Sequence, residues 1–258
     1  SFIAGAQKIF ENQALLNNIN FYPDPDADTG TNLASTMHSI VSTVQPQENV
    51  KETALALADA ALMGARGNSG IIFAQFLYGF SKDIKDQQTM NIKEFAEYMH
   101  VASECAYYAL AKPKEGTIIT VIKDWSNFLM ESSDNADDLT TLLLNALTVA
   151  MESLKGTGKF IAAKAKTIVD AGAKGFVVFL EGMCEYFHSG EQSVHVANAE
   201  IIDSEWMGED NHEEITFRYC TEALFIGEGL KKEKISSLIE KMGDSLVIAG
   251  SDRKMRLH

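Results

Sequence analysis

The sequence predicts a mainly α protein in which eight helices run up and down, followed by a small α+β unit. Three observations carry this. Apolar residues recur at helical spacing through the first three quarters of the chain. The four prolines, Pro23, Pro25, Pro46 and Pro113, all fall between helical segments, where a missing amide hydrogen does no harm. From about residue 194 the pattern changes to short alternating runs. The helices are expected over roughly 1–17, 30–45, 49–64, 68–83, 91–111, 116–131, 137–154 and 172–188. After a boundary in the polar stretch Ser189–Asn198, strands are expected at 193–196, 215–220, 245–249 and 254–257, with a helix at 231–242. The division is therefore 1–190 for the helical domain and 191–258 for the small one, whose last strand reads as if cut short at His258.

Composition narrows the function. The chain has 258 residues, with 36 acidic against 22 basic side chains and a formal net charge of −14. Gripping an extended polyphosphate takes many Lys and Arg contacts, so nucleic acid and anionic membrane are poor partners. No apolar run has the ~18 residues of a membrane span, and the first residues lack a basic region followed by a sustained apolar stretch. A cytoplasmic protein without stable membrane insertion is expected. Cys105, Cys184 and Cys220 are too few and too scattered for a disulfide framework or a CxxC knuckle.

The connections carry the functional signal. In an up-and-down arrangement the second, fourth, sixth and eighth helices begin at the same end. The links entering them are Asp24–Asn32, Gly64–Gly70, Glu115–Thr117 and Asp170–Gly175, rich in glycine and hydroxyl residues. The opposite links, Gln45–Asn49, Asp83–Asn91 and Ser132–Asp137, are polar but contain no glycine. Helix starts offer unpaired amides and positive potential, so four of them together predict an anion site. Taken singly, each reads better as an ordinary capped turn, and it is their coincidence at one end that reverses this.

Asp24, Asp26 and Asp28 alternate within five residues, a density of charge that a cation would offset. Hard oxygen ligands with Thr31 and Asn32 close by suit Mg²⁺. The competing reading is a solvated acidic turn in which Asp28 caps the next helix. An EF-hand is rejected because Thr29 and Ser35 stand where the loop needs glycine and glutamate. An aspartyl-phosphate phosphatase fits poorly, since no buried strand precedes Asp24. Gly156-Thr157-Gly158-Lys159 lacks the spacing of a Walker A loop, and no GxGxxG follows a strand. His38, His100 and His188 have no ligand-spaced companions, and Phe73, Phe76, Tyr107, Tyr108 and Trp125 read as core. Cys220 and His258 suggest a softer second metal site in the small domain, against the alternative of a buried strand cysteine.

Asn20-Phe21-Tyr22-Pro23, Asp26-Ala27-Asp28-Thr29-Gly30-Thr31-Asn32 and Gly64-Ala65-Arg66-Gly67-Asn68-Ser69-Gly70 resemble the ATP-binding domain of bacterial fatty acid kinase, within the dihydroxyacetone kinase L-subunit (DhaL-like) superfamily. Glu115-Gly116-Thr117-Ile118 and Val169–Gly175 continue the match in order, over about residues 1–190. The segment from Phe217 to the end resembles the middle domain that follows in fatty acid kinase and in relatives fused to a DegV-type lipid-binding domain. The resemblance implies a closed eight-helix barrel holding ATP or ADP and Mg²⁺ at one end. By position it makes Asp26 and Asp28 the Mg²⁺ carboxylates that serve catalysis, with Asn20 as a further ligand. Thr31, Asn32, Asn68, Ser69 and Gly70 would meet the phosphates. Gly116, Thr117, Asp170 and Gly172 would line the nucleotide. Ala27 departs from the family's usual glycine, and Asp24 from its usual apolar residue. Phe21 stands where the dihydroxyacetone kinase pattern has its first aspartate, so the fatty acid kinase branch fits better.

In that branch the acceptor is a fatty-acid carboxylate, already ionised near neutral pH and in need of no general base. It would arrive on a DegV-type partner or fused domain and leave as acyl phosphate. Two other functions stay open: an L-type component of a dihydroxyacetone kinase, and a non-catalytic module that keeps ADP bound. A homodimer is compatible with each.

Overall fold

The computed structural model describes residues 1–20, 27–161, 169–190, 217 and 219–258. Its helices are α1 (Phe2–Glu11), α2 (Gln13–Asn18), α3 (Thr29–Thr43), α4 (Val50–Gly64), α5 (Gly67–Lys82), α6 (Ile92–Tyr107), α7 (Ile118–Ser132), α8 (Leu139–Ile161) and α9 (Ala171–Ser189). A single 3₁₀ turn at Ser133–Asn135 extends α7. The mainly α expectation holds, with one helix more than expected before residue 190. The segment expected over 1–17 breaks at Asn12, whose side chain donates to the Lys8 carbonyl at 2.8 Å. A short amide side chain that bonds the previous turn offers the backbone an alternative to helix.

Consecutive helices from α3 to α9 pack on one another, α9 returns onto α1, and α1 and α2 lie on α3, so the neighbours close into a ring. The interior is filled with side chains. Phe73 and Phe76 of α5, Trp125 of α7, and Phe176 and Phe179 of α9 are all buried. Phe176 meets Phe76 and Trp125 edge-on, with ring centroids 5.7 and 5.6 Å apart. Small residues let the surrounding helices close around this centre: α4 turns Ala54, Ala58, Ala60 and Ala61 inward. Tyr107 packs against the core, but Tyr108 is 71% exposed. The expected core role of Tyr108 is corrected, because it is the residue that ends α6.

The chain then forms β1 (Ala223–Ile226), α10 (Lys232–Ile239), β2 (Ile248–Gly250) and β3 (Lys254–Leu257). The sheet is antiparallel in the order β1-β3-β2, with Leu257 opposite both Ala223 and Ile248. Alternation sorts its faces. Val247 and Ala249 join the helical core, while Leu246, Ile248, Met255 and Leu257 pack with Ile235 and Ile239 of α10. The Gly250 amide donates to Gln75 Oε1 on α5 at 2.8 Å, and Leu110 bridges to Val247. The expected strand at 254–257 is found as such. The strand expected at 215–220 is corrected: Phe217, Tyr219 and Cys220 are not in a strand, and β1 starts at Ala223. Its partner β3 spans only four residues, so the chain before Ala223 runs past the ladder toward α5. The strand expected at 193–196 and most of the expected domain boundary lie outside the described residues.

Because Phe176 touches Phe73, Phe76 and Trp125 at once, Phe176→Ala should lower unfolding stability by about 3–5 kcal/mol in urea denaturation. A loss below about 1 kcal/mol would show that this aromatic centre is not the heart of the core.

Candidate functional site

The helix starts of the ring are of two kinds. Those of α4, α6 and α8, at the far end, are capped by side chains. Asn49 accepts from the Lys51 amide at 2.8 Å for α4, Asn91 from Glu94 at 2.9 Å for α6, and Asp138 from Thr141 at 2.8 Å for α8. At the near end α3, α5 and α7 begin at Asp28, Arg66 and Thr117, none of which makes a side-chain cap bond. Such a cap stabilises a helix by about 1 kcal/mol. The fourth near-end start, α9, is capped by Asp170 through the Ala173 amide. At the three uncapped starts the Thr31, Gly67 and Ile118 amides find acceptors in Asn17, Glu222 and Asp170, and the Asn68 and Ser69 amides have none within their helix.

These starts meet. Gly67, at φ +55°, begins α5 against the Asn32 amide group of α3, and a β-carbon there would collide with Asn32 Nδ2. Gly70 faces Thr36, and Gly172 of α9 lies between Ser69 of α5 and Ile118 of α7. The structure thus brings together Asp28, Asn32, Asn68, Ser69, Gly70 and Gly172, with Thr117 and Gly116 one and two residues along the chain from Ile118.

Asp28 does not cap α3. Its Oδ1 instead accepts from Asn32 Nδ2 at 2.8 Å, so Asp28 does not take the capping role that the competing reading gave it. Ala27 before it has φ +53°, a left-handed conformation that glycine adopts freely and alanine at a cost. This is where the resemblance marked a missing glycine: the chain keeps the turn without the residue that suits it. Asp24 and Asp26 lie outside the described residues. Asn20 is buried two residues past the end of α2 and four residues before Asp24. Among the described residues no three His, Cys, Asp or Glu side chains gather into a metal-holding group.

Several predicted contact residues are already engaged. Thr31 Oγ1 accepts from Gln13 Nε2 at 3.1 Å and from Asn17 Nδ2 at 3.0 Å, while the Thr31 amide donates to Asn17 Oδ1. Gln13 and Asn17, both 2% exposed, fix the start of α3 on α2. Sequence reading missed them, although two fully buried amides on an amphipathic helix are the signal that could have shown them. The Gly116 amide donates to Thr120 Oγ1, and Thr117 Oγ1 to the Lys114 carbonyl, so this link is held by its own bonds. Asp170 is 6% exposed and accepts from the Ala173 amide at 2.7 Å. Burial pushes its carboxyl up to about 6, while the amides of Ala173, Ile118 and Gly172 pull the other way. Asp170 therefore ties the α7 start to the α9 start.

The sheet unit reaches the same end. Glu222 Oε1 accepts from the Gly67 amide at 2.9 Å, and His258 Nδ1 lies 2.9 Å from Asn68 Oδ1. The other ring nitrogen of His258 touches Cys220 Sγ, so the two residues suggested for a softer metal are in contact. His38 and His188 are exposed and stand apart.

Comparison with known proteins agrees with this architecture. The family model of the DAK2 domain matches residues 23–185, and that of the FakA-like middle domain of fatty acid kinase matches 216–258. An uncharacterised protein of Staphylococcus epidermidis is 35% identical over 272 residues, covering 99% of this chain and 49% of the relative. An uncharacterised protein of Staphylococcus aureus is 34% identical over 268 residues with the same coverage. The chain thus spans about half the length of these relatives. Among solved structures, the dihydroxyacetone kinase of C. freundii matches with a TM-score of 0.57 at 16% identity, over 71% of this chain and 33% of that one. At that identity the likeness speaks for the fold alone.

The buried carboxyl and the strained turn each have a measurable consequence. Asp170 is protonated in the folded chain but ionised in the unfolded one between about pH 4 and 6. Its contribution to stability is therefore full below pH ~4 and lost as pH rises through about 6, a change of about 3 kcal/mol. Asp170→Asn should lack this fall, and denaturation of both proteins from pH 4 to 7 checks it. Ala27→Gly should be neutral or stabilising by up to about 1 kcal/mol, whereas Ala61→Gly inside α4 should destabilise by at least that much.

Proposed function

The chain belongs to the DAK2-domain family and carries a FakA-like middle domain, and on that basis we propose that it binds ATP through Mg²⁺ at the near end of the helical ring. The observation that carries this reading is the capping pattern: side chains close the starts of α4, α6 and α8, while at the near end Asp170 closes α9 and the starts of α3, α5 and α7 are left without a side-chain cap. The proposed nucleotide domain is 1–190 and the proposed companion domain 191–258.

The residues present fit both ligands. Asp28 has a carboxylate that caps no backbone amide of α3 and is steadied by the Asn32 side chain, a hard oxygen donor of the kind Mg²⁺ takes. Asp26 and Asn20 are the proposed further ligands. Bound Mg²⁺ would offset charge on the β- and γ-phosphates. The amides of Asn68 and Ser69, in the first turn of α5, have no acceptor within their helix and are proposed to take phosphate oxygens, with Gly70, Thr31 and Asn32 beside them. Gly116, Thr117 and Gly172 are proposed to line the nucleotide, with Asp170 holding the α7 and α9 starts in place beneath it. Catalysis then consists of positioning and charge stabilisation for an in-line attack, with no side chain taking a proton.

The acceptor we propose is a fatty-acid carboxylate presented by a DegV-type protein or domain, giving acyl phosphate. The likeness of 216–258 to a fatty acid kinase middle domain favours it over dihydroxyacetone. Cys220 and His258 are kept as part of a proposed second, softer metal site, supported by their contact. Among the described residues no helix is long and apolar enough to cross a membrane, and the proposed location is cytoplasmic.

Calorimetric titration with Mg²⁺ and ATP should give binding that Asp26→Asn with Asp28→Asn weakens more than about tenfold and makes insensitive to Mg²⁺. Unchanged affinity and metal dependence would overturn the acidic-loop assignment. Phosphoryl transfer should appear with fatty acid plus a lipid-binding partner and not with dihydroxyacetone.

A further inference from the structure

Two charged side chains of the sheet unit reach the α4–α5 link without a part in the scheme above. Glu222 accepts from the Gly67 amide through Oε1 and from Arg256 Nη2 through Oε2, each at 2.9 Å. The same guanidinium donates through Nη1 to the Met63 carbonyl at 2.8 Å, in the last turn of α4. One ion pair therefore sets a negative charge at the positive start of α5 and a positive charge at the negative end of α4. Both signs match, and both helices belong to the link that carries Gly67, Asn68, Ser69 and Gly70.

This is not an ordinary surface pair. The Arg256 side chain is 15% exposed and that of Glu222 30%, and Arg256 Nε is buried without a hydrogen-bond partner. The Glu222 carboxyl is held below the usual carboxylate range: burial works against this, and the Gly67 amide and Arg256 outweigh it. Arg256 sits in β3 between the buried Met255 and Leu257, so its register is set by the sheet core. Two residues on, His258 holds Asn68 from the same strand.

We propose that Glu222 and Arg256 are positioning residues for the nucleotide site. The sheet unit clamps the end of α4 to the start of α5, and the Asn68 and Ser69 amides keep the geometry that receives phosphate only while that clamp is closed. The proposal rests on the nucleotide reading above, and it explains why a sheet unit is seated on the one helix start where Gly67 allows close approach. An interchangeable salt bridge would work in either polarity. A clamp matched to two helix ends works in only one.

The test uses the whole chain with Glu222→Gln, Arg256→Met, both together, and the charge swap Glu222→Arg with Arg256→Glu. Two quantities are read: the Kd of Mg·ADP by calorimetry, and amide hydrogen exchange across residues 64–70 without nucleotide, with α9 as the internal control for an intact fold. Each single change should raise Kd about tenfold, the double change little more than either single one, and the swap should not restore binding. Exchange at 67–69 should quicken while α9 stays protected. Unchanged exchange across 64–70 in both single variants, restoration by the swap, or quickened exchange with unchanged Kd would each overturn the proposal. If the unaltered chain binds no Mg·ADP, the nucleotide reading fails by itself, while exchange across 64–70 still shows whether the clamp exists.

Discussion

Backbone amides at the first turn of a helix must find an acceptor, and in this protein three near-end starts, α3, α5 and α7, do not take it from their own N-cap side chain, whereas α9 does through Asp170. At the far end Asn49, Asn91 and Asp138 supply it from their own chain segments. At the near end Asp28 turns to Asn32, Arg66 makes no cap bond and Thr117 bonds backward to Lys114, so the demand passes to groups outside the helix. Glycines at the crossings bring those starts within reach of one another. The Asn68 and Ser69 amides are what the local sequence leaves without an acceptor in their own helix.

Uncapped starts are costly unless something holds them, and the surrounding polar groups do that. Gln13 and Asn17 pin Thr31, Thr157 accepts from the Asp170 amide, and the Asp170 carboxyl spans α7 and α9. Each of these groups is buried and bonded, as buried polar groups must be to avoid an uncompensated loss of hydration. They make the near end rigid without using the amides of Asn68 and Ser69. The sheet unit extends the same logic across the fold, because Glu222 satisfies Gly67 from a strand boundary more than 150 residues away. The net charge of −14 is compatible with this, since the positive potential comes from helix ends and needs no excess of Lys or Arg.

Periodicity, proline placement and linker chemistry were enough for the helical class, the limits of α4 and α5 to within a residue or two, and the strand at 254–257. Those are local properties, and the chain expresses them locally. The split of the first helix turned on one side-chain bond at Asn12, and the start of β1 on the four-residue length of its partner, neither visible in a hydropathy pattern. The reading of Asp28 as a helix cap was plausible by composition and was decided only by where Asn32 points. Likewise, Glu222 and Arg256 carry no motif. Their meaning comes from the sheet unit lying with β2 against α5 and β3 against α4, a long-range contact set by packing. Which amides are left over is written into the chain a few residues at a time, because caps are chosen within that range. What approaches those amides is a matter for the folded molecule, because it depends on which distant segments the core brings to the same place.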